Sequence, residues 1–390
     1  MIFFDYMTLI IVKECMILLK IYNLQVNYMI ELLIEGMTEN KGGKETYIIN
    51  IFNFLDKTKY HVTFVSYNKE IAYEIYLKNN GATIVKIPPR HDGLYQHRKA
   101  LDNLFSKQYF DIVWAHKTTL SACEILSISK KNGVPVRIIH SHSSANMGGK
   151  FTYVMHNINR KCIFRIANNY FACSVTAARW FYGKHPSQIM INGIDLDKFK
   201  YNPSLRDKIR KEMNLDNSFL IGHVGRFGIE KNHKKLINIF NILKQKKENS
   251  KLILCGDGEE RNSIEQQIEE LDLKTDVLLL GNVDNVNEIL QAIDIMVMPS
   301  LFEGFPFALL EAQTAGLRCV VSDTVSKEID VLGWNQFLPL SLDDNLWADN
   351  ILKNNSILDR YEGYRIIKEK GYDLNDCLSA LEKKLNEFFQ

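Results

Sequence analysis

The segment IDIMVMPSLFEGFPFALLEAQTAG, residues 293–316, contains three consecutive pieces. IDIMVMPS is an apolar run of strand length, EGFP interrupts it with glycine and proline, and FALLEAQTAG has the character of a helix. Together they form one βα unit, with Glu303 in the loop beyond the strand and Glu311 eight positions later inside the helix. In open α/β sheets, ligands sit beyond the C-terminal strand ends, where the next helix presents unsatisfied N–H groups. The two glutamates are therefore expected to reach two parts of one ligand.

The same alternation runs outward in both directions. MIELLIEGM, HVTFVSY, ATIVKI, DIVWAH, VRIIHSH and YFACS read as strands of a first series. FLIGHVGRF, KLILCGDG, VLLLGNV, IDIMVMPS and CVVSD form a second, with helices expected at 232–247 and 286–293. Apolar runs separated by helical-period segments are the pattern of parallel sheets, so the fold class expected is α/β with two doubly wound, Rossmann-like domains. The boundary is placed at MINGIDLDKFK (190–200), where Asn192-Gly193 is a turn signal. This gives an atypical N-terminal extension (1–28), a first domain (29–192) and a second domain (193–371), followed by a C-terminal helix at about 372–390.

The 390-residue chain is 46% apolar, enough to bury two cores. Its seven cysteines show no zinc-ligand spacing and are expected to be reduced thiols of a cytoplasmic protein. In the first 28 residues, Lys13, Glu14 and Lys20 interrupt the apolar run, and no small-residue cleavage site follows. Neither a signal peptide nor a membrane span fits well, which leaves an interfacial helix or an upstream extension with the domain starting near Met29. The net charge of +2 is divided into +10 over residues 29–192 and −8 over 193–390. No acid occurs between Glu124 and Asp195, while nine basic residues do: Lys130, Lys131, Arg137, Lys150, Arg160, Lys161, Arg165, Arg179 and Lys184. Such a run attracts an anionic surface or substrate. No nucleic-acid motif accompanies it.

The strand ends supply the candidate site. Gly225-Arg226 closes one strand and Lys231-Asn232 opens the next helix, a combination suited to a diphosphate. GDGEE (256–260) and GNVDN (281–285) follow the next two strands. Neither is GxGxxG or GxxxxGK[ST]; their turn backbone, Asn282 and Val283 included, suits a base or ribose. In the first domain, Gly42-Gly43-Lys44-Glu45-Thr46 joins the first strand to a helix, and His116, His140 and His142 end two further strands. Without a carboxylate or cysteine cluster beside them, these histidines do not by themselves read as a metal site.

E-x7-E within FEGFPFALLEA, GRF with a downstream KN, the linker INGIDLDKF and the turn GGKET together resemble the family 4 retaining glycosyltransferases of GT-B fold. HSHSS, MINGID and VVSDTVSKEID are most similar to those of bacterial exopolysaccharide and capsular polysaccharide synthesis. The resemblance covers residues 29–390. It implies two domains facing a central cleft, the C-terminal helix crossing back onto the first domain, and no cofactor or metal beyond a nucleotide-sugar donor, UDP-linked by resemblance.

The resemblance also implies roles. Glu311 would hold the ribose, with Leu310 beside it. Glu303 would contact sugar hydroxyls, supported by the backbone of Gly304, Phe305 and Phe307. Arg226 and Lys231 would bind the diphosphate next to Gly225. His116, or else His140, would lie near the reacting carbon, and Gly42, Gly43 and His142 would line the acceptor side. The acceptor would be a glycan or lipid-linked saccharide, and the acid-free segment 125–194 would dock peripherally on the anionic cytoplasmic membrane face. A nucleotide-sugar epimerase of the same architecture and a degenerate sugar-nucleotide-binding subunit are the competing readings. The extension and Lys44-Glu45 depart from the family pattern.

Overall fold

The computed structural model describes residues 28–146, 148–303, 305–353 and 359–389. Residues 1–27 of the expected extension, and Gly304, lie outside the described residues. In the first domain, chain order is β1 (Ile30–Glu35), α1 (Gly43–Phe54), β2 (Tyr60–Ser66), α2 (Glu74–Asn79), β3 (Thr83–Lys86), α3 (Leu94–Lys107), β4 (Ile112–Lys117), α4 (Glu124–Lys131), β5 (Val136–Ser141), α5 (Lys150–Ile166), β6 (Asn169–Ala172), α6 (Val175–Tyr182) and β7 (Gln188–Ile189). The strands form a parallel sheet in the order β3-β2-β1-β4-β5-β6-β7.

The second domain continues with α7 (Leu196–Phe199), α8 (Pro203–Glu212), β8 (Phe219–Val224), α9 (His233–Lys246), β9 (Ser250–Cys255), α10 (Arg261–Glu270), β10 (Val277–Gly281), α11 (Val286–Ala292), β11 (Ile295–Met298), α12 (Phe307–Thr314), β12 (Cys319–Ser322), β13 (Gln336–Leu338), α13 (Asp344–Lys353) and α14 (Tyr361–Glu369). Its six parallel strands run β10-β9-β8-β11-β12-β13. Both orders reverse beside the first strand of the domain, and each reversal leaves a crevice at the C-terminal strand ends.

Period-two alternation divides each sheet between two cores. Leu32 and Ile34 of β1 face α1, whereas Leu33 faces the layer built by α3, α4, α5 and α6. In the second sheet, Ile253 and Met296 pack toward α11 and α12, while Leu252 and Val297 pack toward α9, α10 and α13.

The expected crossing-back of the chain is present. Helix α15 (Leu374–Asn386) buries Leu378, Leu381 and Leu385 in the first-domain core beside α1. Two connections pass each other there: Ile194 N donates to Tyr372 O and Leu374 N donates to Ile194 O. A Cβ on Gly193 would lie 2.9 Å from Asp373 O and 2.9 Å from Leu374 Cα, so the turn-signal glycine permits the close approach of these strands.

Two short strands were not foreseen. β7 has two exposed residues and β13 three at a sheet edge, too few for a periodicity to register. Tyr28, assigned by sequence to the extension, donates its hydroxyl to Asp111 Oδ2 at 2.7 Å and so joins the first domain. Among the described residues no helix is long and apolar enough to cross a membrane.

Candidate active site

The second-domain wall of the cleft is set by the loops after β8 and β11. Asn232 adopts the left-handed conformation (φ 56°) that ends the β8 loop, and its side-chain amide donates to Pro299 O at 3.1 Å. That tie brings Lys231 to the end of β11. Lys231 Nζ stands 2.6 Å from Glu303 Oε1, and Ser300 Oγ donates to the same oxygen at 2.8 Å. Both charged side chains are largely buried, 14% and 10% exposed, so the pair is only weakly screened. Gly225 lies against the lysine stem, since a Cβ there would meet Lys231 Cε at 2.9 Å.

Arg226, expected to share the diphosphate with Lys231, is placed differently. Its side chain is 47% exposed and spans Glu230 and Glu259, each at 3.4 Å. Lys231 is thus built into this wall, whereas Arg226 stands half exposed at its rim.

Glu311 projects from α12, one turn beyond the Phe305–Phe307 entry, with Leu310 buried behind it. Removal from water raises its carboxyl to about 7. Among the described residues no cation pairs with it. Val283, beyond β10, packs against the core that holds α12, placing that turn on the same side of the sheet as Glu311. Pro306 begins α12 with no side-chain cap, so the first helical N–H groups stay available to a ligand.

The first-domain wall is a column of rings. His116 on β4 and His140 on β5 are in register, and His142 follows beyond β5. His116 Nδ1 and His142 Nε2 share a hydrogen bond at 2.9 Å, and Tyr47 packs edge-on against His116 and His140. His116 and His140 are sealed, 1% and 0% exposed, whereas His142 is partly exposed. Of the three rings only His142 reaches solvent, while the rings of His116 and His140, the two expected nearest the reacting carbon, are enclosed. Desolvation keeps all three neutral: His140 is lowered to about 3, and His116 and His142 fall well below the ordinary imidazole value.

The three rings offer nitrogens within 4.8 Å of one another. Yet they stack at centroid separations of 4.3–5.2 Å, with planes 25–34° apart. Two of these nitrogens, His116 Nδ1 and His142 Nε2, already satisfy one another through their hydrogen bond.

Close packing of the backbone supports this wall. Gly36 has φ +135°, and a Cβ there would lie 2.6 Å from His116 O. Gly43 abuts the opposite domain, where its Cβ would meet Phe307 Cδ2 at 3.0 Å. Lys44 and Glu45, the departure from the family pattern, pair at 3.2 Å, and Thr38 Oγ1 donates to Glu45 Oε1 at 2.7 Å. A separate cavity of about 210 Å³ opens beyond β2 and β4, lined by Tyr67, Asn68, Arg90, His97, Lys117 and Glu124. Lys117 donates to the buried Glu35 at its edge.

Three interdomain contacts escaped the sequence reading. Ser144 Oγ donates to Glu303 O at 2.7 Å. Phe305 packs against cores of both domains. Glu328 of VVSDTVSKEID accepts from Val175 N at 2.8 Å and Thr176 N at 2.9 Å, where its carboxylate complements the N-terminus of α6. Glu328→Ala is expected to weaken cleft closure, lowering the transfer rate roughly 5–30-fold while shifting Tm by less than about 3 °C, because no core is touched. Solution scattering together with steady-state rates checks this; an unchanged rate would remove the clamp from the account.

The buried imidazoles also predict acid sensitivity. His116, His140, His142, His223 and His233 all have lowered pKa values, so below pH 6.5 the unfolded chain binds more protons than the folded one. Their contribution is fully present above about pH 6.5 and declines as pH falls toward 4. Melting curves at pH 7.5 and pH 5.0 should differ by roughly 10 °C, with the lower value in acid.

Two parallel-sheet domains facing a cleft, with the last helix crossing back, define the GT-B fold. The profile described as "Glycosyl transferases group 1" matches residues 206–352. EpsF of Bacillus subtilis strain 168, provisionally named a glycosyltransferase, is 31% identical over 334 residues, 82% of this chain and 86% of that protein. The chain belongs to the group 1 glycosyltransferases. An Escherichia coli UDP-Gal:alpha-D-GlcNAc-diphosphoundecaprenol alpha-1,3-galactosyltransferase is 31% identical over 253 residues, 60% of this chain and 64% of its own. The crystal structure of Anabaena HepE with UDP and glucose superposes with a TM-score of 0.74 over 92% of this chain and 99% of that one, at 18% identity, a likeness of fold.

Proposed function

We propose that this glycosyltransferase moves a hexosyl group with retention of configuration, without a metal, from a UDP-sugar to a lipid-linked saccharide in cell-surface polysaccharide synthesis, as family 4 enzymes do. The observation that carries the reading is the Lys231–Glu303–Ser300 cluster at the end of β11, followed by α12 with the unpaired Glu311 and with Phe307 against Gly43 of the first domain. The named activity of the Escherichia coli relative supports the UDP donor and the diphosphoundecaprenol-linked acceptor.

In this reading the ribose hydroxyls donate to Glu311, and the sugar hydroxyls donate to Glu303. As the anomeric C1–O bond to the diphosphate breaks, its electron pair goes to the phosphate oxygen, where Lys231 and the first N–H groups of α12 meet the growing negative charge. The acceptor hydroxyl bonds to C1 on the face the diphosphate leaves, and its proton passes to the departing phosphate. The neutral, sealed His116 and His140 shape the floor without taking that proton. The acceptor enters from the first-domain wall, past Gly42, Gly43 and His142.

Product analysis tests the reading. Incubation with a UDP-sugar and a diphosphate-lipid saccharide in excess EDTA is expected to give a glycosidic product with the donor's α configuration, read from its anomeric coupling constant. A β product, an EDTA-abolished reaction, or release of an epimerised sugar without acceptor would each overturn a stated part of it.

A further inference from the structure

Helix α5 exposes what a helix in water ordinarily buries. Phe151, Val154 and Ile158 follow one another at helical spacing and are 75%, 52% and 51% exposed, and Tyr153 beside them is 48% exposed. The opposite face is the buried one, carrying His156 and Ile163. Along the exposed stripe the last turns carry Lys161 and Arg165, and Lys150 opens the helix, all three exposed. Arg179 and Lys184 lie exposed on and after α6, next in chain order. No carboxylate occurs from residue 125 to residue 194 to offset these charges.

Single exposed apolar residues are ordinary; an aligned row flanked by cations is not. Its chemistry complements a surface that is apolar just beneath a layer of negative charge, which is the boundary of an anionic bilayer. We propose that α5 docks on such a bilayer, with Phe151, Val154 and Ile158 entering the headgroup boundary while Lys150, Lys161 and Arg165 meet lipid phosphates.

The inner face of the helix links docking to the site. Leu120 N donates to His156 Nδ1 at 3.1 Å and Asn159 Nδ2 donates to Leu120 O at 2.6 Å. The loop held this way leads into Ala122 and Glu124 of the first-domain cavity. Docking on α5 is therefore coupled to the cavity through one loop, held by His156 and Asn159 at Leu120. The use of this coupling rests on the lipid-linked acceptor proposed above; the binding itself does not.

The test is co-sedimentation of the full chain with vesicles of phosphatidylcholine alone and of phosphatidylcholine with phosphatidylglycerol. Variants are F151S/V154S/I158S and K161E/R165E. The wild type is expected to bind the anionic vesicles at least about tenfold more tightly than the neutral ones, and each variant to lose at least about tenfold of that binding. All the substituted side chains are exposed, so Tm and the UDP-sugar-induced rise in Tm stay unchanged. Undiminished binding by both variants would overturn the proposal and assign the interaction to another surface, residues 1–27 among them. No binding by a wild-type chain that still responds to UDP-sugar would overturn the docking while leaving the donor site standing. Loss only with the charge reversal would reduce the surface to a polyanion site and overturn insertion.

Discussion

Replacing Lys231 with alanine lowers sugar transfer about 10²–10³-fold, the scale of losing one preorganised charge at a developing anion. The ammonium is positioned before any ligand arrives: its stem lies against Gly225, its head 2.6 Å from Glu303, and Asn232 fixes the turn that carries it. Removal leaves the Glu303 carboxylate, 10% exposed, with the Ser300 hydroxyl but without its cation. A fall in Tm of a few degrees accompanies the loss of rate, from a penalty on the order of 1–3 kcal/mol. Arginine does not restore the rate, because its planar fork needs space that the Gly225 contact denies it. Arg226→Ala, by contrast, costs less than about tenfold, since that side chain is half exposed and already shared by two carboxylates. Initial rates at saturating donor for the three variants check the ranking; equal losses at positions 226 and 231 would contradict it.

Glu311→Gln is expected to make the free protein more stable and the nucleotide response vanish. The sign follows from protonation. The folded carboxyl is raised to about 7 from an ordinary value near 4.5, so between those pH values the folded chain binds the extra proton. Stability from this group is therefore present below about pH 4.5 and lost as pH rises through 7, leaving a penalty on the order of 1–3 kcal/mol at pH 8. The amide has no charge to desolvate and removes that penalty, raising Tm by several degrees at pH 8 and hardly at all at pH 5. The same charge is what two ribose hydroxyls would satisfy. UDP-sugar affinity in the wild type should thus rise between pH 6 and pH 8, and the variant should bind at least about tenfold more weakly at pH 8. Melting curves of both proteins at the two pH values decide the stability half of this. A variant less stable than the wild type at pH 8 would show that Glu311 holds the fold rather than the ligand.

Both domains are legible in the sequence because buried parallel strands are nearly continuous apolar runs, and the strand-end glycines mark where backbones meet. VRIIHSH and IDIMVMPS became β5 and β11 for that reason. The linker at Asn192-Gly193 is legible too, although its glycine answers to Asp373 and Leu374, a partner some 180 residues away that no local pattern reveals. Lys231 and Glu303 were singled out by type and place, and their pairing was not. Lys231 meets Glu303 across 72 positions, and Ser300 joins them only through the strand-end geometry of β11. The Glu328 contact with α6 spans 153 positions and carries no local signature. Histidine spacing announced a cluster, but only packing tells that the rings of His116 and His140 are enclosed while His142 stays partly exposed. The exposed stripe of α5 was half legible: the missing acids are in the sequence, but which apolar residues of KFTYVMHNI face outward depends on where the helix lies.

The most direct test of the central claim is a calorimetric titration of UDP-sugar into the intact chain at pH 8 with EDTA present, beside Lys231→Ala and Glu311→Ala. The account predicts one site per chain, selective for the UDP-sugar over GDP- and ADP-sugars, and weakened at least about tenfold in each variant. Binding of equal strength in all three proteins, or none in a wild type shown to be folded, would contradict it.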